Sequence, residues 1–218
     1  KVMDYLPIFI VFYFIAVGCR TLFQLKIMVY VLVAVALFIF LQGAIADHTH
    51  DVMSHYLVAE GRGEDLVYRY KGLGVLSDPN DLAEFFVTLI PMLWIRWKPG
   101  SYLSNFIFTI LPAMILAVGM YFTHSRGGLI ALVAILLFGL KNKLGYVLSA
   151  ILAAGLFAGM LAMGASGGRG MDQDDGGRVA AWSTGLELFR AHPLIGIGID
   201  QFPEHNETGH TAHNSYIL

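Results

Sequence analysis

The stretch "YFTHSRGGLIAL", Tyr121–Leu132, contains Arg126, the only formally charged side chain between Asn105 and Lys141. Its reading decides the fold. Either one long apolar run carries a stranded cation, or two membrane crossings meet at a corner. Leu103–Phe122 by itself supplies the ~20 apolar residues that cross a hydrocarbon core of about 30 Å. Thr123–Arg126 is therefore read as a corner at the membrane boundary, and Gly127 opens the next helix. An Arg near the bilayer centre would cost roughly 3 kcal/mol even on lenient insertion scales, and the corner avoids that cost.

The rest of the chain follows the same pattern. It is 56% hydrophobic and 14% charged, whereas a soluble domain has about 25% charged residues. Ile27–Ala46 and Leu144–Met163 are further uncharged runs of spanning length. Apolar blocks and breakers predict helices at Tyr5–Cys19, Ile27–Ala46, Asp81–Ile95, Leu103–Phe122, Gly127–Leu140 and Leu144–Met163, with another beginning at His213. The fold expected is an all-α integral membrane protein, a polytopic bundle with about six to seven crossings.

The short connections "CRTLFQLK", "IRWKPG" and "KNK" carry Arg20, Lys26, Arg96, Lys98, Lys141 and Lys143 and no Asp or Glu, which puts them on the cytoplasmic side. Two polar loops, 47–80 and 164–212, then face outward with the Thr123–Arg126 corner. We read 1–218 as a single membrane domain, an internal piece of a longer chain. "AVGC" at Ala16–Cys19 is not read as a signal-peptide cleavage site, because a basic n-region is missing and further spans follow. One cysteine, Cys19, excludes an intrachain disulfide. A net charge of −2 points to no polyanionic partner, and no nucleic-acid motif is present.

In "LSDPNDLAEFF", Asp78 suits an N-cap, Pro79 the first helical position, and Asp81 and Glu84 the positive end of a helix dipole. In the second outer loop, Val179, Trp182, Leu186 and Phe189 recur at helical spacing with Glu187 and Arg190 on another face. That predicts an interfacial amphipathic helix at about 178–190, anchored by Trp182.

Four places could carry chemistry. At Arg126, Gly127 and Gly128, a helix N-terminus offers unpaired N–H groups and a guanidinium fork matches phosphate oxygens bidentately. A snorkelling Arg beside a glycine-eased turn is the competing reading. Arg178 in "DDGGRVAAW" repeats the pattern, against the simpler reading of a solvated loop Arg. Arg69 precedes a membrane helix on the same side. His213, followed by Asn214, falls at the outer interface, where a histidine is either a general base at neutral pH or a cap. "DHTHD" at Asp47–Asp51 with His55, and the set His205, Glu207, His210 and His213, lack the spacing of a zinc motif. Neither a metal nor a cofactor is expected, and His124 and His192 are read as structural.

"RYKGLGVLSDPNDLAEF", "THSRGGLIAL", "GGRVAAWSTGLELFRAHPLIGIG" and "TAHNSYIL" occur in an order and spacing that resembles the bacterial O-antigen ligase/O-antigen polymerase superfamily, from about Arg69 onward. The resemblance implies a multi-pass inner-membrane glycosyltransferase active on the periplasmic side. Its donor would be a glycan on undecaprenyl diphosphate. Its acceptor would be a sugar hydroxyl, on a lipid A core or a growing polysaccharide. Motif by motif, Arg69 matches the Arg of the RxxG…PN segment, Arg126 that of SRGG, Arg178 that of GR…W, and His213 the His of the HN motif.

That implies Arg126 and Arg178, with Arg69, Gly127, Gly128 and Asn214, around the diphosphate, and His213 as the base. A glycine pattern that follows the HN motif in the family lies beyond Leu218. Ligase, polymerase and protein O-oligosaccharyltransferase share these motifs. A transporter of an anionic lipid-linked substrate is the alternative from another class. It predicts paired repeats and broken helices at the midplane, which the sequence does not display. A non-catalytic scaffold of an assembly complex is a third reading.

Overall fold

The computed structural model describes residues 2–51, 53–60, 66–162, 171–193, 196–198 and 201–205. His213 and Asn214 lie outside the described residues, and for 171–179 the backbone alone is described. Two compact units, Lys1–Gly167 and Gly168–Leu218, divide the chain.

In the first unit, α1 spans Val2–Gly18 and α2 spans Leu22–His48. Thr21 and Gln24 form a reciprocal capping box at the start of α2. Val29, Val33, Ala36, Ile39, Gly43 and Ala46 make one buried stripe along α2. Phe23, Val31, Val35, Phe38, Leu41 and Ile45 stay exposed on its other side. A helix apolar all round, packed on one face only, is matched to a hydrocarbon surrounding. By length and composition, α2 and the continuous helix Tyr102–Phe122 can each cross a membrane, and the apolar helices Arg126–Gly139 and Leu144–Met160 are shorter.

The chain is mostly helical, but it is not all-α as the composition led us to expect. The loop after α2 folds into an antiparallel hairpin, β1 Leu57–Glu60 against β2 Val67–Tyr70, with Val58 opposite Arg69. "LVAE" and "VYRY" hold β-branched and aromatic residues suited to strands, yet at four residues each they give too little alternation to reveal themselves.

A 3-10 turn at Gly74–Leu76 leads to α3, Pro79–Met92. Here local chemistry is decisive: Asp78 caps the Asn80 N–H at 2.6 Å, Pro79 occupies the first turn, and Asp81 faces the dipole. A 3-10 turn, Leu93–Arg96, ends this segment. Next come α4 (Tyr102–Asn105), a π-helical turn (Phe106–Ile110) and α5 (Leu111–Phe122), continuous as one helix. α6 runs Arg126–Ala162, broken at Gly145, whose φ of 78° and ψ of 164° only glycine adopts without strain. That break separates the two apolar segments that the sequence divides at "KNK". The core lies where α2, α3, α5 and the start of α6 meet, around Phe86, Leu82, Leu116, Met120 and Leu129.

In the second unit, α7 spans Met171–Ala191 and α8 Phe202–His205. Ala181 and Phe202 form a small core with Leu188 and Ile197, while Trp182, Leu186 and Phe189 are exposed. α7 starts earlier than the expected 178–190. Arg178 is thus inside a helix and does not sit at a helix start behind two glycines.

Candidate active site

The corner between α5 and α6 is assembled from backbone that the sequence alone determines. Thr123, fully buried, closes α5, its hydroxyl donating to the Met120 carbonyl at 2.6 Å. His124 takes a φ of 50°, in the left-handed region that reverses the chain. Ser125 is the N-cap of α6: its Oγ accepts from the Gly128 N–H at 3.2 Å and its carbonyl from the Leu129 N–H at 3.0 Å. Arg126 is the first residue of α6 and half-buried.

The two glycines of "SRGG" do different work. A Cβ at Gly128 would stand 2.7 Å from the Ala83 Cβ and 3.3 Å from the Met120 Cγ, so Gly128 lets α6 close on α3 and α5. A Cβ at Gly127 would meet nothing nearer than the Ser125 Oγ at 3.9 Å. Gly127 is exposed, and its N–H has no acceptor among the described residues. The start of α6 therefore turns a backbone donor and the positive end of its dipole outward beside Arg126.

Arg69, only 5% exposed, reaches this corner from the hairpin. Its Nε–H donates to the Thr123 carbonyl at 2.7 Å, Nη1 pairs with Glu60 Oε2 at 2.5 Å, and Nη2 donates to Asn80 Oδ1 at 3.1 Å. One planar fork thus ties β2, β1, the first turn of α3 and the end of α5 together. Tyr70, the next residue, stacks on Phe122 with ring centroids 4.9 Å apart. The Tyr70 hydroxyl donates to Asp47 Oδ2 at 3.1 Å. Burial, and then the Asp47 carboxylate, push the Tyr70 phenol well above its ordinary range, so it remains a donor.

Asp47, Glu60, Tyr70, Asn80 and Thr123 were not singled out for these contacts by the sequence. Asn80 beside the capping Asp78 was the nearest signal. Of the residues the sequence did single out, Arg69, Arg126, Gly127 and Gly128 lie within this first unit around one corner. Arg178 belongs to α7 in the second unit.

These features describe a mostly helical protein with helices long and apolar enough to cross a membrane, and an arginine and outward backbone N–H at a braced helix start. Residues 111–218 match the family model described as O-antigen ligase. Over that stretch the chain is similar to the O-antigen ligase family, a likeness that suggests a membrane glycosyltransferase-like role in polysaccharide assembly. No curated protein and no solved structure matches the chain.

Proposed function

We propose that the protein transfers a glycan from undecaprenyl diphosphate to an acceptor hydroxyl at the outer face of the inner membrane, as an O-antigen ligase. The acceptor hydroxyl oxygen attacks the anomeric carbon, the bond from that carbon to the diphosphate oxygen breaks, and the lipid diphosphate leaves with the bonding pair. His213 takes the hydroxyl proton. Arg126 and Arg178 meet the negative charge that grows on the diphosphate, and Asn214 orients the sugar or the base. Preorganised donors of this kind are each worth on the order of 10²–10³ in rate.

The observation that carries the reading is Arg126 at the head of α6 beside the open Gly127. There a guanidinium-bearing residue and an outward backbone N–H are neighbours at one helix start. Arg69 contributes as a positioning residue: three of its N–H groups hold protein acceptors, and one of those is the Thr123 carbonyl at the corner. The chain would cross the membrane six to seven times with the corner outside, and the exposed Trp182, Leu186 and Phe189 would seat α7 in the outer interface.

Purified protein supplied with a lipid-linked oligosaccharide and candidate acceptors tests this. Covalent product on a lipid A core acceptor is expected. Product only on a growing glycan would make it a polymerase, and binding or flipping without product would end the enzyme reading.

A further inference from the structure

The turn joining α3 to α4 stands at the other end of the first unit from the Arg126 corner. The continuous helix Tyr102–Phe122, 21 residues, separates them by about 30 Å. The turn is stiff. Buried Asn105 clasps Lys98, accepting from its N–H at 3.0 Å and donating to its carbonyl at 2.7 Å. Trp94 and Trp97 are stacked, 6.2 Å apart and 6° from parallel, yet 49% and 42% exposed. Tyr102, at the start of α4, is 85% exposed.

Arg96 is held with its guanidinium carbon 4.3 Å over the Phe108 ring, and Nη2 donates to Ser104 Oγ at 3.3 Å. Its Nε is buried and has no acceptor. Among the described residues neither Arg96 nor Lys98 makes an ion pair, and the sequence has no Asp or Glu between Glu84 and Asp172. A held guanidinium and an exposed lysine without counter-charge among the described residues, flanked by an exposed ring pair of the kind that meets headgroups, form a surface lacking its anion.

We infer that this turn is a binding site for an anionic phospholipid, whose phosphate sits on Arg96 and Lys98 and whose glycerol and upper acyl chain lie along Trp94 and Trp97. A zwitterionic lipid also brings a phosphate, but its ammonium group opposes the same two cations. A free phosphate offers nothing to the exposed rings. The site depends on the chain being in a bilayer and not on which glycan it transfers.

Native mass spectrometry of the full chain in neutral detergent, titrated with phosphatidylglycerol and with phosphatidylcholine of the same acyl chains, reads it directly. Phosphatidylglycerol should be retained roughly tenfold more tightly, and Lys98→Gln should weaken it about fivefold. Lys98→Gln keeps the Asn105 clasp, in which residue 98 uses only its backbone N–H and carbonyl, so it is informative even if Arg96→Gln does not fold. Arg20→Gln, on another turn, should leave retention unchanged. Equal retention of the two lipids, an unaffected Lys98→Gln, an equal loss in Arg20→Gln, or displacement of the lipid by millimolar inorganic phosphate would each overturn the site.

Discussion

Arg69 donates its Nε–H to the Thr123 carbonyl across 54 residues of sequence. This bond makes the hairpin a brace for the corner that carries Arg126. Without it the Thr123 carbonyl that closes α5 would lose a buried donor.

Arg69→Lys should therefore fail although it conserves charge. An ammonium cannot span Thr123, Glu60 and Asn80 in one plane, so at least one acceptor is abandoned. The loss should be on the order of 2–3 kcal/mol, seen as a fall in the thermal midpoint of detergent-solubilised protein. Transferase activity should drop in the protein that remains folded.

Arg126→Lys should leave the thermal midpoint near wild type, since the corner is held by Ser125, Thr123 and Arg69. Glycan transfer from the lipid-linked donor should fall about 10²–10³-fold, the loss typical of one transition-state donor. His213→Ala should lose about 10²–10⁴-fold under the same conditions. Either variant at wild-type rate would remove that residue from the proposed chemistry.

How much of this was legible in the sequence depends on range. Asp78 and Pro79 act within one helical turn, and their residue types announce it, whereas the Thr21 cap that starts α2 five residues before the expected Ile27 was not read. Arg126 at a helix start followed from span length and the glycine pair. Arg69 was flagged, but its partners at Glu60, Asn80 and Thr123 meet only after the chain has folded, and no local pattern encodes them. Two glycines before Arg178 suggested a helix start, yet α7 begins at Met171 and carries both glycines within it. The hairpin escaped notice because its strands are too short to display a period.

Tyr70→Phe removes the donor to Asp47 and keeps the ring on Phe122. It should cost about 1 kcal/mol at neutral pH. The pH dependence has a definite sign. The folded chain holds the Tyr70 phenol protonated above its ordinary value, while the unfolded chain ionises it near pH 10. Its contribution is thus complete below about pH 10 and declines as pH rises beyond it. Thermal midpoints measured from pH 8 upward should fall more steeply for wild type than for Tyr70→Phe above about pH 10, and parallel curves would contradict the Asp47 pairing.

The glycines at the head of α6 should separate stability from transfer. Gly128→Ala forces a methyl to within 2.7 Å of the Ala83 Cβ, and α6 must move off α3. Overpacking of this kind costs about 1–3 kcal/mol, so the thermal midpoint should fall. Gly127→Ala meets only the Ser125 Oγ at 3.9 Å. Ala is the better helix former by about 1 kcal/mol, so stability should hold or rise. The added methyl, however, stands beside the outward N–H where the diphosphate is proposed to approach. A displacement of about 1 Å there should lower transfer about 10²-fold. A Gly127→Ala protein that is both stable and fully active would show that the substrate does not come against this backbone, and Arg126 would then have to bind it from another side.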